Sequence, residues 1–101
     1  MRVNDGTKLT RWHAVFAGHV QHVGFRYTAY YLAKSLYLTG WVDNLPDGRV
    51  EMEVQGPVAL LRRLVLQLKD RPRIRILDMD IREIEVVPDE RHFEVRGYGE
   101  F

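Results

Sequence analysis

The spacing of apolar residues predicts two amphipathic helices. From Phe25 to Leu38, and again from the Gly56-Pro57 junction to about Lys69, apolar side chains recur three and four positions apart. This is the period of a helix with one buried face. Gly40 is expected to end the first helix, and Pro72 closes off the second. The predicted buried positions are Ala29, Leu32, Ala33 and Leu36 in the first helix and Leu61, Leu64, Val65 and Leu68 in the second.

Alternating and β-branched segments predict the strands. Residues 12–19 alternate imperfectly, as in a strand buried mainly on one face. The segments Trp41–Val42 and Arg49–Gln55 flank Asn-Leu-Pro-Asp-Gly, a strong turn signal at 44–48. Residues 74–87 indicate one long or irregular strand, and His92–Tyr98 a short final strand.

The resulting element order is strand, helix, strand, strand, helix, strand, with a short strand appended. This is the split β-α-β pattern of a ferredoxin-like α/β (α+β) sandwich, with two helices on one face of an antiparallel sheet. Strands one and three are then central, and strand two lies beside strand three. We interpret Met1–Thr10 as a flexible lead-in to a domain of residues 11–101.

Composition narrows the function classes. The 101 residues are 46% hydrophobic, which suits one domain with a core and argues against disorder. The formal net charge of +1 does not indicate a polyanion binder. The chain has no cysteine, which excludes disulfides, thiolate metal ligands and cysteine nucleophiles. With no apolar run of membrane-spanning length, we expect a cytoplasmic protein that does not contact the membrane.

The segment from Gly18 to Arg26 carries the candidate chemistry. It ends a strand and opens a helix, where unpaired backbone N–H groups and the helix dipole form an anion site. The Arg26 guanidinium adds a planar fork suited to phosphate. A tetrahedral dianion would accept hydrogen bonds from the amides of His22, Val23, Gly24, Phe25 and Arg26.

Asn44 is a second candidate, at the end of the second predicted strand. An asparagine before Pro-Asp-Gly can serve only in local turn hydrogen bonds. The predicted topology, however, lets Asn44 approach the loop after strand one. Its neutral amide both donates and accepts, which suits orienting a water nucleophile.

Both segments resemble signatures of the acylphosphatase family. The residues concerned are Gly18-x-Val20-Gln21-x-Val23-x-Phe25-Arg26 and Gly40-Trp41-Val42-x-Asn44-x-x-Asp47-Gly48, followed by Val54-Gln55-Gly56-Pro57. The resemblance runs from about Arg11 to Tyr98 and implies a ferredoxin-like sandwich. It also implies hydrolysis of the carboxyl-phosphate bond of a small acyl phosphate, yielding a carboxylate and inorganic phosphate.

The resemblance further implies a role for each candidate residue. Arg26 corresponds to the family's phosphate-binding arginine, and Asn44 to its water-orienting asparagine. His22, Val23, Gly24 and Phe25 correspond to the loop whose amides hold the phosphate. Inorganic phosphate is then both product and inhibitor, and a monomer that needs no metal or other cofactor is expected.

Known chemistry explains why so few groups are needed. The leaving group is a carboxylate whose acid has a pKa of roughly 4, so it departs without a protein general acid. Phosphoryl transfer depends mainly on positioning and charge stabilisation. One arginine, a ring of amides and a held water can suffice.

His22 departs from the family, which usually has glycine at this position. If the position needs positive φ, histidine costs about 1 kcal/mol or more in strain. Three outcomes are open: a tolerated change with altered rate, a weakened or lost activity, or an added donor to the phosphate.

Two rival functions remain open from the sequence. A non-catalytic anion-binding or regulatory domain would keep the fold and lose turnover. A nucleic-acid binding module would stack bases on an exposed sheet, but the predicted strand 49–54 is acidic on one side. We expect no nucleic-acid partner. The four tyrosines of the first helix and its end are interpreted as packing and surface residues: Tyr27, Tyr30, Tyr31 and Tyr37.

Overall fold

The computed structural model describes residues 8–97 of the chain. The elements are β1 (Leu9–His19), α1 (Phe25–Ser35), β2 (Thr39–Asn44), β3 (Val50–Pro57), α2 (Val58–Lys69), β4 (Arg75–Ile84) and β5 (Phe93–Val95). This order confirms the predicted ferredoxin-like fold. β1 begins at Leu9 and so includes the end of the segment predicted as a lead-in. Residues 1–7 of that segment, and Tyr98 of the predicted final strand, lie outside the described residues.

The strands form one mixed sheet in the order β4-β1-β3-β2-β5. As predicted, β1 and β3 are central and β2 lies beside β3. These strands and β4 pair antiparallel, but β5 pairs parallel to β2. The sheet is therefore not antiparallel throughout. The physical reason is that β4 and β5 lie at opposite edges, so the chain crosses the sheet between them and re-enters in the direction of β2.

Both helices pack on the same face of the sheet and form the core with it. The predicted helix positions are buried except Leu36, which is half-buried at the end of α1. From the sheet, alternate residues of β1 and β3 point into this core, including Phe16, Met52 and Val54. Burying each such side chain stabilises the fold by about 1.5–3 kcal/mol.

Gly40 does not end α1, so that prediction is wrong. The helix ends at Ser35, and the left-handed residue after it is Tyr37, with φ 58°. Gly40 lies inside β2 with φ 138°. A Cβ there would lie 2.0 Å from the carbonyl oxygen of Glu53, so the glycine is required by close approach of β3.

The crossing between β4 and β5 is held by two buried polar residues. The Gln55 amide donates to the carbonyl of Val87 (2.9 Å) and accepts from its N–H (2.8 Å). Arg11, only 2% exposed, pairs with Glu90 at 2.8 Å and Glu53 at 2.9 Å. Burial opposes its charge, but the hydrogen bonds to Glu90 and Glu53 outweigh burial and raise the pKa of Arg11. These contacts fix where β5 joins the sheet.

Within residues 8–97, no helix is long and apolar enough to cross a membrane.

Candidate active site

The loop between β1 and α1 ends at a helix N-terminus suited to an anion. Gly24 is the N-cap of α1 and is left-handed, with φ 80° and ψ 18°. α1 has no side-chain N-cap hydrogen bond and no acidic residue in its first turn. Within the first turn itself, no carboxylate offsets the positive end of the helix dipole. An anion bound there would meet the first-turn N–H groups.

His22 occupies this loop in a conformation that favours glycine. Its φ is 62°, and its side chain is exposed. The position where the resemblance implies glycine therefore does take positive φ. With Gly24 also left-handed, the loop has the alternation of conformations that turns successive N–H groups toward one point.

Arg26, in the first turn of α1, is a buried residue rather than a surface charge. It is 3% exposed, and its Nη1 donates to the carbonyl oxygen of Arg96 at 2.5 Å. A Cβ added to Gly97 would lie 2.7 Å from Arg26 Nη1 and 2.9 Å from Asp43 Oδ1. The segment after β5 therefore packs directly against the Arg26 guanidinium, beside the end of β2.

Asn44 is the last residue of β2 and pairs with Val50. It shares the helix-facing side of the sheet with Val42, two positions earlier, which is fully buried. This is the side on which α1 packs. Asn44 is half-buried and adjoins Asp43, the residue next to Gly97.

Gln21 links the loop to the hairpin that carries Asn44. Its Nε2 donates to the carbonyls of Leu45 (2.8 Å) and Arg49 (2.9 Å). The loop after β1 and the end of β2 are thereby tied together, as the predicted topology requires for an approach between them. The structure brings the predicted loop, Arg26 and Asn44 to one end of the sheet.

Hydrogen bonds from Arg49 to Asp47 hold the turn after Asn44. The Asp47 carboxylate accepts from the backbone N–H of Arg49 at 3.1 Å and from its Nε at 2.9 Å. The side-chain bond from Arg49 is the main cause that lowers the pKa of Asp47. Asp47 is exposed, and its lowered pKa keeps it ionised at neutral pH, so it shapes the hairpin and is no proton donor there.

Three residues were not predicted in the roles that the structure gives them: Arg96, Gly97 and Gln21. The carbonyl of Arg96 and the glycine after it position Arg26 through backbone atoms, which carry no side-chain signature. Gln21 belongs to the first motif, but its partners are backbone carbonyls, which the motif does not indicate. Within the part of the chain described, no group of three or more histidine, aspartate or glutamate side chains could hold a metal ion.

Comparisons with known proteins identify the family of this chain. The acylphosphatase family profile matches residues 12–95. An acylphosphatase of Methylococcus capsulatus is 39% identical over 88 residues, which cover 86% of this chain and 96% of the relative. One from Geobacillus thermodenitrificans is 37% identical over 92 residues, covering 90% and 97%.

Solved structures give the same result. The acylphosphatase of Bacillus subtilis superposes with a TM-score of 0.81 at 32% identity, covering 89% of this chain and 100% of that one. The acylphosphatase of Coxiella burnetii superposes with a TM-score of 0.81 at 34% identity, covering 95% and 100%.

Proposed function

This chain belongs to the acylphosphatase family and hydrolyses the carboxyl-phosphate bond of acyl phosphates, and we propose that Arg26 binds the phosphate and Asn44 orients the attacking water. The observation that supports this most is the buried Arg26 guanidinium at the helix N-terminus, in a loop that Gln21 ties to the Asn44 hairpin.

The proposed reaction uses position and charge. Amides of His22, Val23, Gly24 and Phe25 and the Arg26 guanidinium hold the phosphoryl oxygens and stabilise charge in the transition state. The Asn44 amide holds a water in line with the scissile bond. The water oxygen bonds to phosphorus, the carboxylate leaves with the bonding electrons, and the water proton passes to a phosphate oxygen.

The proposed reaction requires no general acid, because the carboxylate leaving group needs no proton. It requires no metal, because Arg26 and the loop amides stabilise the phosphoryl charge. Purified protein treated with a chelator is expected to release phosphate from benzoyl phosphate well above the spontaneous rate. A rate no higher than the spontaneous one would overturn the metal-free mechanism if added divalent metal restored turnover. It would overturn hydrolysis itself if metal did not.

The roles of the two side chains are separable. Arg26→Ala removes a charge-assisted contact, so both phosphate affinity and turnover should fall. Asn44→Ala should mainly lower kcat, with the inhibition constant of inorganic phosphate close to that of the unmodified protein. Phosphate inhibition should be competitive. Equal loss of phosphate affinity in both folded variants would contradict this division.

One feature of the sheet argues against the nucleic-acid alternative. Glu51 and Glu53 alternate with buried residues of β3 and point away from the helices, onto the face where a base-stacking surface would lie. Glu53 lies 2.9 Å from Arg11 and Glu51 lies 2.7 Å from His13, so the basic side chains of these pairs contact carboxylates of the sheet rather than a phosphate backbone. The non-catalytic alternative is tested by the same benzoyl phosphate assay.

We further propose a monomeric, cytoplasmic protein that acts on a small-molecule substrate. Size-exclusion chromatography with light scattering tests whether the protein is a monomer.

A further inference from the structure

A groove opens directly beside the phosphate loop, on the side of α1. Its volume is about 540 Å³. Val23 and Gly24 belong both to this groove and to the loop, and the other walls include Tyr27 and Tyr31 of α1 and Arg71 and Arg73 of the α2–β4 connection. A Cβ added at Gly24 would meet nothing within 4 Å, so the space next to the loop is open.

The groove walls are aromatic on one side and cationic on the other. Tyr27 is 37% exposed and Tyr31 63% exposed, so both rings present area to a ligand. Arg71 and Arg73 are exposed, and neither guanidinium forms an ion pair with any residue between 8 and 97. The first turn of α1 carries no acid to offset them.

Carboxylates near these arginines lie outside the groove. Asp70 precedes Arg71 in sequence and lines an adjoining depression that Arg71 and Pro72 also line, together with Gln67 and Leu32. The groove itself is lined by no acidic residue among those described. The charged side chains among its lining residues are therefore the two arginines, Arg71 and Arg73.

We propose that this groove holds the acyl group of the substrate and selects acyl phosphates that carry a second carboxylate on that group. The proposal rests on the proposed function, because the phosphate loop must hold the phosphoryl group for the acyl group to reach Val23 and Gly24. The tyrosine rings contact the carbon skeleton. Arg71 and Arg73 bind the distal carboxylate, for which the guanidinium fork is well matched.

The test compares benzoyl phosphate with 4-carboxybenzoyl phosphate, which share the scissile bond and the ring. The variant is Arg71→Gln with Arg73→Gln. Its matched control is Arg62→Gln with Arg63→Gln, two exposed arginines of α2 whose loss changes the net charge equally. For each protein, kcat/KM is measured with both substrates, so intrinsic reactivity cancels when a variant is compared with the unmodified protein.

The groove variant should lose about tenfold in kcat/KM for 4-carboxybenzoyl phosphate, mainly through KM, and change less than about twofold for benzoyl phosphate. The control variant should change kcat/KM by the same factor for both substrates. Equal effects of the groove variant on the two substrates, or the same selective loss in the control, would overturn the subsite and leave the proposed function standing. If the unmodified protein hydrolyses neither substrate, the proposed function and the subsite are both overturned.

Discussion

The side chain of His22 stands on a backbone conformation that glycine adopts at no steric cost. Its φ of 62° lies in the left-handed region, where a residue with a Cβ is strained by about 1 kcal/mol or more. His22→Gly removes this strain, but it adds unfolded-state entropy worth up to about 1 kcal/mol. These terms oppose each other in stability, whereas access to the loop amides only improves. We predict that kcat is kept or raised, whatever the change in melting temperature.

The measurement is steady-state hydrolysis of benzoyl phosphate by both proteins at one pH. A tenfold fall in kcat, about 1.4 kcal/mol in the barrier, would show that the imidazole contributes to the site. That fall would reverse the sign of the strain argument.

Gly97 offers a second test at the residue scale, with an internal control. Gly97 has φ 87° and Gly48 has φ 97°, so alanine strains both backbones alike. Only at Gly97 does the new Cβ meet the Arg26 Nη1, at 2.7 Å, while at Gly48 nothing lies within 4 Å. Gly97→Ala should displace the guanidinium and lower kcat/KM by about tenfold or more, a loss of roughly one charge-assisted hydrogen bond. Gly48→Ala should lower stability similarly and leave phosphate affinity unchanged. Similar kinetics in the two variants would contradict the contact.

The placement of single residues was predictable where the side chain stands in a recognisable motif, whereas their roles stay predictions. Arg26 and Asn44 stand in motifs with a stated physical use, and the structure places both at the same end of the sheet. The contact of Gly97 with Arg26 was not predictable, because the two residues lie 71 positions apart in the sequence. No periodicity or local propensity encodes that distance.

At the scale of elements, one glutamine joins two parts of the site. Gln21 donates to two carbonyls of the β2–β3 hairpin. Gln21→Ala would loosen the hairpin relative to the loop and cost about 0.5–1.5 kcal/mol of stability for each bond lost. We expect kcat to fall more than phosphate affinity, because the hairpin that carries Asn44, proposed to orient the water, is displaced from the loop proposed to bind the phosphate. The measurements are kcat and the inhibition constant of phosphate.

The matched control for this variant is Gln67→Ala on α2, a half-buried glutamine away from the loop. It should leave both constants unchanged. An equal fall in kcat for the control, or no fall for Gln21→Ala, would rule out the proposed link.

Most helices and strands followed from periodicity, because an amphipathic face must bury its apolar side. The exceptions had local causes. Gly40 was predicted to end a helix, but the absence of a Cβ at this position instead allows β2 to lie close to Glu53 of β3. The parallel pairing of β5 was not evident, since three paired residues carry too short a pattern to define strand direction.

At the scale of the whole molecule, Arg11 and Glu90 decide where the final strand lies. Their pair is largely buried. Without the Glu90 carboxylate, the buried Arg11 guanidinium retains Glu53 and Gln55 as its partners among the described side chains. Glu90→Gln should lower the free energy of unfolding by about 1–3 kcal/mol. Urea denaturation measures this, with the exposed Glu83→Gln on β4 as control. Equal unfolding free energies for the two variants would show that the pair does not stabilise the crossing.

The contact between Arg26 and the carbonyl of Arg96 also sets an order of events during synthesis. A ribosome makes the phosphate loop and its arginine early, and the residue that holds this arginine comes 70 positions later. Every nascent chain therefore carries the loop proposed to bind phosphate before it carries the carbonyl that holds Arg26. If Arg26 binds phosphate as proposed, hydrolysis begins only after β5 and Arg96 have emerged and joined the sheet, so completion of this segment sets when activity begins.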